Sequence, residues 1–350
     1  MGLPCGTFNE SYKQDMAIVR TRLQWGLLIA FLVLLSLLPH FLNDYLLSIV
    51  NGMAIWLIAV LGLNLLTVYC GQINIGQAAF MAVGGYTSAI LITKLGFNFW
   101  AALPCSAIGA GLVGMLFGLP ALKVKGFYLA MTTLAAQFVI TWAIIHGGDI
   151  TQRTYGIPVP RPTLAGIVFN TETSYFYLII PITLLMGFFA RNLVRTRVGR
   201  AFVAIRDNDL AAEMMGVNLF SYKTLAFVIC AAYAGVAGCL WTNYLAIAHY
   251  EHYALMDSIW MLGMLIVGGL GSTMGAVFGT LFIKGLMETV TYLSPKLSEL
   301  IPGASGLTAA STGLVALGMV IILFLIFEPR GINHRWEIFK HTYRIFPFSY

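Results

Sequence analysis

Charge is scarce in this sequence: Asp, Glu, Lys and Arg make up 10% of its 350 residues, against 59% hydrophobic side chains. A soluble domain carries about 25% charged residues, because its surface must be hydrated. The shortage excludes a soluble protein and makes lipid the solvent for most of the surface. A phosphate loop of the form GxxxxGK[ST] is also missing, and there is not one Gly-Lys pair, so nucleotide hydrolysis is expected elsewhere. Cysteine is sparse and has no CxxC spacing. Cys70, Cys105, Cys230 and Cys239 fall in apolar segments and Cys5 in the polar leader, a pattern of packing thiols rather than of a metal site. Strict polar–apolar alternation over strand lengths, the mark of a membrane barrel, is absent as well. No small-x-small cleavage pattern follows the first apolar run, which is therefore read as a retained signal anchor.

What the sequence does have is long apolar runs. A spanning helix needs about 20 mostly apolar residues, and ten segments meet or approach that length: Trp25 to Leu42, Tyr45 to Tyr69, Gly71 to Leu95, Trp100 to Leu122, Gly126 to His146, Tyr175 to Ala190, Thr224 to Tyr244, Leu255 to Leu270, Gly275 to Leu293 and Leu307 to Phe327. The fold class expected is an all-α polytopic bundle. The net charge of +6 lies in the gaps between the runs, where topology places it; no nucleic acid is implied. With a cytoplasmic N-terminus, fifteen of the twenty Lys and Arg residues fall inside, in the leader, at Lys123 and Lys125, between Arg191 and Lys223, and in the tail. Ten spans put both termini in the cytoplasm. The chain then divides into a tail over 1–24, a membrane domain over 25–327 and an interfacial tail over 328–350, with an external loop over 147–174 and a cytoplasmic loop over 191–223.

Ten spans split as five plus five, and an odd number per half predicts inverted repeats. Glycine-interrupted stretches, GQINIGQ over 71–77 and GGLGSTMG over 268–275, are taken as matching places. The first puts Gln72, Asn74 and Gln77 in apolar surroundings, where unpaired amides cost several kcal/mol. They act either as interhelical glue or, with Gly71 and Gly76, as a broken helix lining a solute path. Gly268, Gly269, Gly271 and Ser272 are the second candidate stretch of that path.

The loop from Arg191 to Lys223 reads as two short helices. Asp207 or Asn208 caps the second, and Gly216 ends it in the left-handed conformation. Leu210 with Met214, and Ala211 with Met215, give it small apolar faces that nothing in this chain covers, so a groove on another protein is expected to take them. Lys284 and Glu288 stand one turn apart in an apolar helix, where they are expected to neutralise one another; their Lys-before-Glu order is the weaker helical arrangement and leaves room for a tertiary partner, and a proton relay is the alternative. His249, Glu251 and His252 occupy no regular face and read as a loop cluster, not a metal site. The tail interleaves Arg330, Arg335, Lys340 and Arg344 with aromatics, which suits an anionic membrane surface.

Five blocks in order, GQINIGQAAFMAVGGY (71–86), LPALKVKGFYLAMTTLA (119–135), VGRAFVAIRDNDLAAEMMGVNLFSYKTLAF (198–227), IVGGLGSTMGAVFG (266–279) and FEPRGINHRW (327–336), resemble the LivM-type permease of branched-chain amino-acid ABC importers. The resemblance implies a bacterial inner-membrane subunit with no cofactor, acting with a LivH-like second permease, two cytoplasmic ATPases and a periplasmic binding protein. Ala211, Ala212 and Gly216 match the family's Glu-Ala-Ala-x-x-x-Gly coupling pattern, while Leu210 replaces its acid. That leaves Glu213, or Arg206 with Asp207, to supply the polar contacts. The chain is thus read as a permease without catalytic residues. An ion-coupled secondary transporter, a passive channel and an ABC permease for urea or short amides are the alternatives.

Overall fold

The computed structural model describes residues 22–121, 126–164, 167–300 and 331–345, together with positions 315, 318, 319, 321–324 and 326–328. Its described elements are α1 (Arg22–Phe41), α2 (Asp44–Asn64) running into a π turn (Leu65–Tyr69), α3 (Gln77–Leu95), α4 (Phe99–Ala121), α5 (Phe127–His146), α6 (Glu172–Arg195), α7 (Arg197–Asp207), α8 (Asp209–Met214), α9 (Leu219–Leu245), α10 (Leu255–Gly268), α11 (Thr273–Leu300) and α12 (Ile332–Ile345). Six helices among the described residues are long and apolar enough to cross a membrane, or seven if a bent pair counts as one. The tenth expected span, Leu307 to Phe327, lies mostly outside the described residues.

The centre of the bundle is α9, with 72% of its apolar window buried. Small residues let other helices close on it, as van der Waals packing in lipid requires. A Cβ at Gly235 would meet the Ser106 carbonyl and Ala110, and Gly84 faces Gly235 across the α3–α9 contact. At Gly238 a Cβ would land on the carbonyl oxygen of Met81.

Two long helices are each followed by a break that turns back into the bundle. After α2 the π turn loosens the backbone, Gly71 takes φ +72, and residues 70–76 run without helix until α3 begins at Gln77. After α9, Ala246 takes φ +57, followed by a two-residue strand, β4 (Ile247–Ala248), a 3-10 turn over Tyr250–Tyr253 and α10. β4 pairs antiparallel with β1 (Ile157–Pro158), and β2 (Thr163–Leu164) pairs with β3 (Ile167–Val168). The loop over 147–174 thus carries a small hairpin.

The end of the bundle that holds Tyr69 also holds Thr273, their hydroxyls 3.4 Å apart. Counting from that end, Ala59, Gln137, Cys230, Ser258 and Lys284 stand ten or eleven residues along their helices, roughly 15 Å at 1.5 Å per residue. That is about half of a 30 Å hydrocarbon layer. Both α3 and α10 therefore start near mid-depth, and they leave in opposite directions.

Two expectations need correction here. The run read as one span over Leu255 to Leu270 is a helix of 14 residues, about 21 Å long, too short to cross alone. It turns by 117° into α11. The glycine segments 71–77 and 268–275 do not occupy matching places either: the first climbs to mid-depth, whereas the second makes the α10–α11 turn at the Tyr69 end. The break that does climb from the opposite end, 246–254, uses a left-handed alanine and a 3-10 turn, so no glycine marks it.

Candidate functional site

At mid-depth the opening turn of α3 would expose unsatisfied N–H groups, as every helix start does, and apolar surroundings make each one costly. Side chains from two other helices supply the acceptors. Ala78 N donates to Ser258 Oγ of α10 at 2.8 Å, and Ala79 N to Gln137 Oε1 of α5 at 2.9 Å. Ile75 N donates to Thr133 Oγ1 at 3.0 Å. Ser258 in turn donates to Gln137 Oε1, and Gln137 Nε2 to the Tyr253 carbonyl. The starts of α3 and α10 are thereby tied together through one glutamine.

Asn74 and Gln77 lie inside this knot, both fully buried. Gln77 Oε1 accepts from Asn74 Nδ2 at 3.0 Å and from the Cys230 thiol at 3.1 Å, while Gln77 Nε2 donates to the Ala59 carbonyl. Asn74 Oδ1 accepts from Gly76 N. Gly76 is pressed on the Thr133 carbonyl. Of the two readings given to these amides, interhelical glue describes what both do in this state. Gln72 is half-buried and Gly71 exposed; Gly71 rests against the backbone and side chain of Arg206. Thr133, Gln137 and Ser258 were missed in the sequence. The Thr133–Gln137 spacing of one helical turn was the available signal.

Arg206 connects this break to the predicted coupling loop. Its Nη1 donates to the Val68 carbonyl at 3.3 Å, and its Nη2 pairs with Asp207 at 2.8 Å. α7 buries Gly199, Ala201, Phe202 and Ile205 against the bundle. α8 follows on Asn208, whose Oδ1 accepts from Ala211 N at 3.1 Å; Asn208, not Asp207, is the cap. The helix closes with Gly216 at φ +85 and a bond from Val217 N to the Ala212 carbonyl. Ala212 is buried, and Lys223 holds Asp209 at 3.4 Å. Leu210, Met214 and Met215 are 66%, 89% and 85% exposed, with Ala211 and Glu213 exposed beside them. The structure thus assembles the loop residues Arg206 to Gly216 into one fixed projection.

Gly268, Gly269, Gly271 and Ser272 go elsewhere. Gly331 packs on the Gly268–Gly269 backbone, and a groove of about 330 Å³ is lined by Ile266, Gly269, Leu270, Gly271, Asn333, His334 and Glu337. Ser272 Oγ accepts from Gly275 N, capping the turn. This stretch meets α12 and is not joined to Asn74 and Gln77.

Lys284 is not paired with Glu288. Its Nζ lies 3.4 Å from the centroid of the Trp56 ring, because α11 faces α2 at this level and the ring is nearer than the next turn's carboxylate. His249 Nδ1 accepts from Glu251 N, and its Nε2 contacts the Thr154 carbonyl; the ring ties the 246–254 break to the opposite loop.

Comparison with known proteins finds permeases of membrane transport systems. The high-affinity branched-chain amino acid transport permease LivM of Escherichia coli (strain K12) is 27% identical over 329 residues, covering 87% of this chain and 74% of its own length. The probable LivM of Methanocaldococcus jannaschii is 24% identical, covering 83% of this chain and 93% of its own length. The probable LivH of the same organism is 26% identical over 288 residues, covering 78% of this chain and 86% of its own length. No solved structure matches. The model of the family described as "Branched-chain amino acid transport system / permease component" matches residues 45–325, and the chain therefore belongs to that family of membrane permeases.

Proposed function

We propose that this chain is one of two permeases of an ATP-driven importer for branched-chain or related hydrophobic amino acids, with α8 as the part gripped by a separate ATPase. The observation that carries the reading is the α7–α8 projection: a helix of six residues, too short to persist alone in water, yet capped at both ends and presenting Leu210, Met214 and Met215 outward. Such a face gains stability only when a partner groove covers it. Arg206 joins its base to the Val68–Gly71 backbone, so movement of α8 is passed to the 70–76 break and from there to mid-depth. Glu213, exposed on the same helix, is the polar contact to the ATPase.

In this reading the Tyr69 end is cytoplasmic and the β1–β4 end faces a soluble binding protein. A second, LivH-like permease completes the path, and two ATPases do the hydrolysis. The two breaks support a five-plus-five inverted repeat of ten spans: α2, 70–76 and α3 correspond to α9, 246–254 and α10, run in opposite senses. The solute path would pass the Gly71–Gln72 face, with Asn74, Gly76 and Gln77 as its buried wall and the Gly268–Ser272 turn as a pivot. The test is co-purification. Leu210→Ser with Met214→Ser should leave the bundle folded and abolish recovery of the ATPases, while a channel or ion-driven transporter would keep its activity in the same variant.

A further inference from the structure

Three charged groups of α10 and α11 lie outside the polar knot: Asp257 and Lys284 at mid-depth, and Glu288 one helical turn beyond Lys284. Each is partly accessible at the surface of this chain. Such groups do not face lipid; they face protein or a water-filled passage. Lys284 is held by Trp56, whose ring is buried and whose Nε1 has no acceptor. Among the described residues no carboxylate comes within ion-pair distance of Lys284, although Asp257 and Glu288 are near enough to act on its charge. Asp257 Oδ2 accepts from Ala254 N at 3.0 Å at the start of α10, which fixes that carboxylate beside the ammonium without joining it.

We infer that Lys284, with Asp257, Glu288 and the Trp56 ring, is a transient contact site for a zwitterionic amino acid in the translocation path, and that this face of α10 and α11 meets the second permease across that path. The lysine ammonium takes the solute's carboxylate. Asp257 or Glu288 takes its ammonium, while the buried Trp56 ring holds the lysine in place. An ammonium held by a ring and left without an ion pair is available to a passing anion, and its nearby acids speed release by competing for it. This rests on the permease reading above, and supplies the mid-depth solute contact that the spent amides Asn74 and Gln77 do not.

The test uses the full complex of both permeases and both ATPases in proteoliposomes, with leucine-loaded binding protein. Lys284→Gln should retain ATPase stimulation but lower leucine uptake roughly tenfold or more, the loss of a charge-assisted contact, and Lys284→Arg should restore part of it. Lys284→Cys should react with a charged, membrane-impermeant thiosulfonate, and loaded binding protein with ATP should slow that reaction. Normal uptake by Lys284→Gln, an inert Lys284→Cys in an assembled complex, or loss of subunit assembly on losing the charge would each overturn the inference. A wild-type complex without ATP-dependent uptake would instead remove the permease reading beneath it.

Discussion

Ser258 Oγ accepts the backbone N–H of Ala78 across 180 positions of sequence, joining the starts of two helices that leave mid-depth in opposite directions. Replacing Ser258 with Ala removes the acceptor and leaves a donor where no water can replace it. The expected cost is about 1–3 kcal/mol, read as a lower unfolding temperature in detergent. Gln137→Leu, which strips both Ala79 and Ser258 of a partner, should cost more than Ser258→Ala.

Gly238 and Gly216 predict opposite outcomes for one chemical change. A Cβ at Gly238 would strike the Met81 carbonyl, whereas one at Gly216 meets nothing within 4 Å. Gly238→Ala should force α3 and α9 apart and sharply reduce yield of folded protein. Gly216→Ala is limited to the strain of φ +85, about 1–2 kcal/mol confined to the end of α8. It should leave global stability intact while weakening ATPase association.

Asn208→Ala loses the cap of α8 and should cost that helix about 1 kcal/mol. Because α8 is peripheral, thermal unfolding of the bundle should barely change. The effect belongs in ATPase affinity, measured by titrating purified ATPase onto the immobilised permeases; an Asp at the same position, which caps equally well, should behave as wild type.

Arg206→Ala removes the bond to Val68 but leaves the exposed apolar face of α8 in place. ATPase should still bind and hydrolyse ATP, with uptake per ATP reduced roughly tenfold or more, since a single lost charged hydrogen bond is worth about 1.5–3 kcal/mol. Equal loss of binding and uptake would assign Arg206 to the docking surface instead.

Most of the long helices and the α7–α8 projection were legible in the sequence because their causes are local. Apolar run length sets a span, and Asn208, Gly216 and the bare Leu210–Met214 face define α8 without reference to the rest of the chain. The mid-depth starts of α3 and α10 were not legible, since Asn74 and Gln77 look the same in sequence whether they await a solute or are satisfied by Cys230 and Ala59. Break 246–254 was hidden because Ala246 adopts a left-handed φ without being glycine. Lys284 was assigned to Glu288 by helical spacing, and a tertiary neighbour, Trp56, took it instead.

The most direct measurement is recovery of ATPase subunits with the affinity-purified permease pair, comparing wild type with Leu210→Glu, Met214→Glu. Near-stoichiometric ATPase on the wild type and none on the variant, with both eluting as folded membrane protein, is the predicted result. Equal recovery of ATPase from both would show that α8 is not where the motor holds this chain.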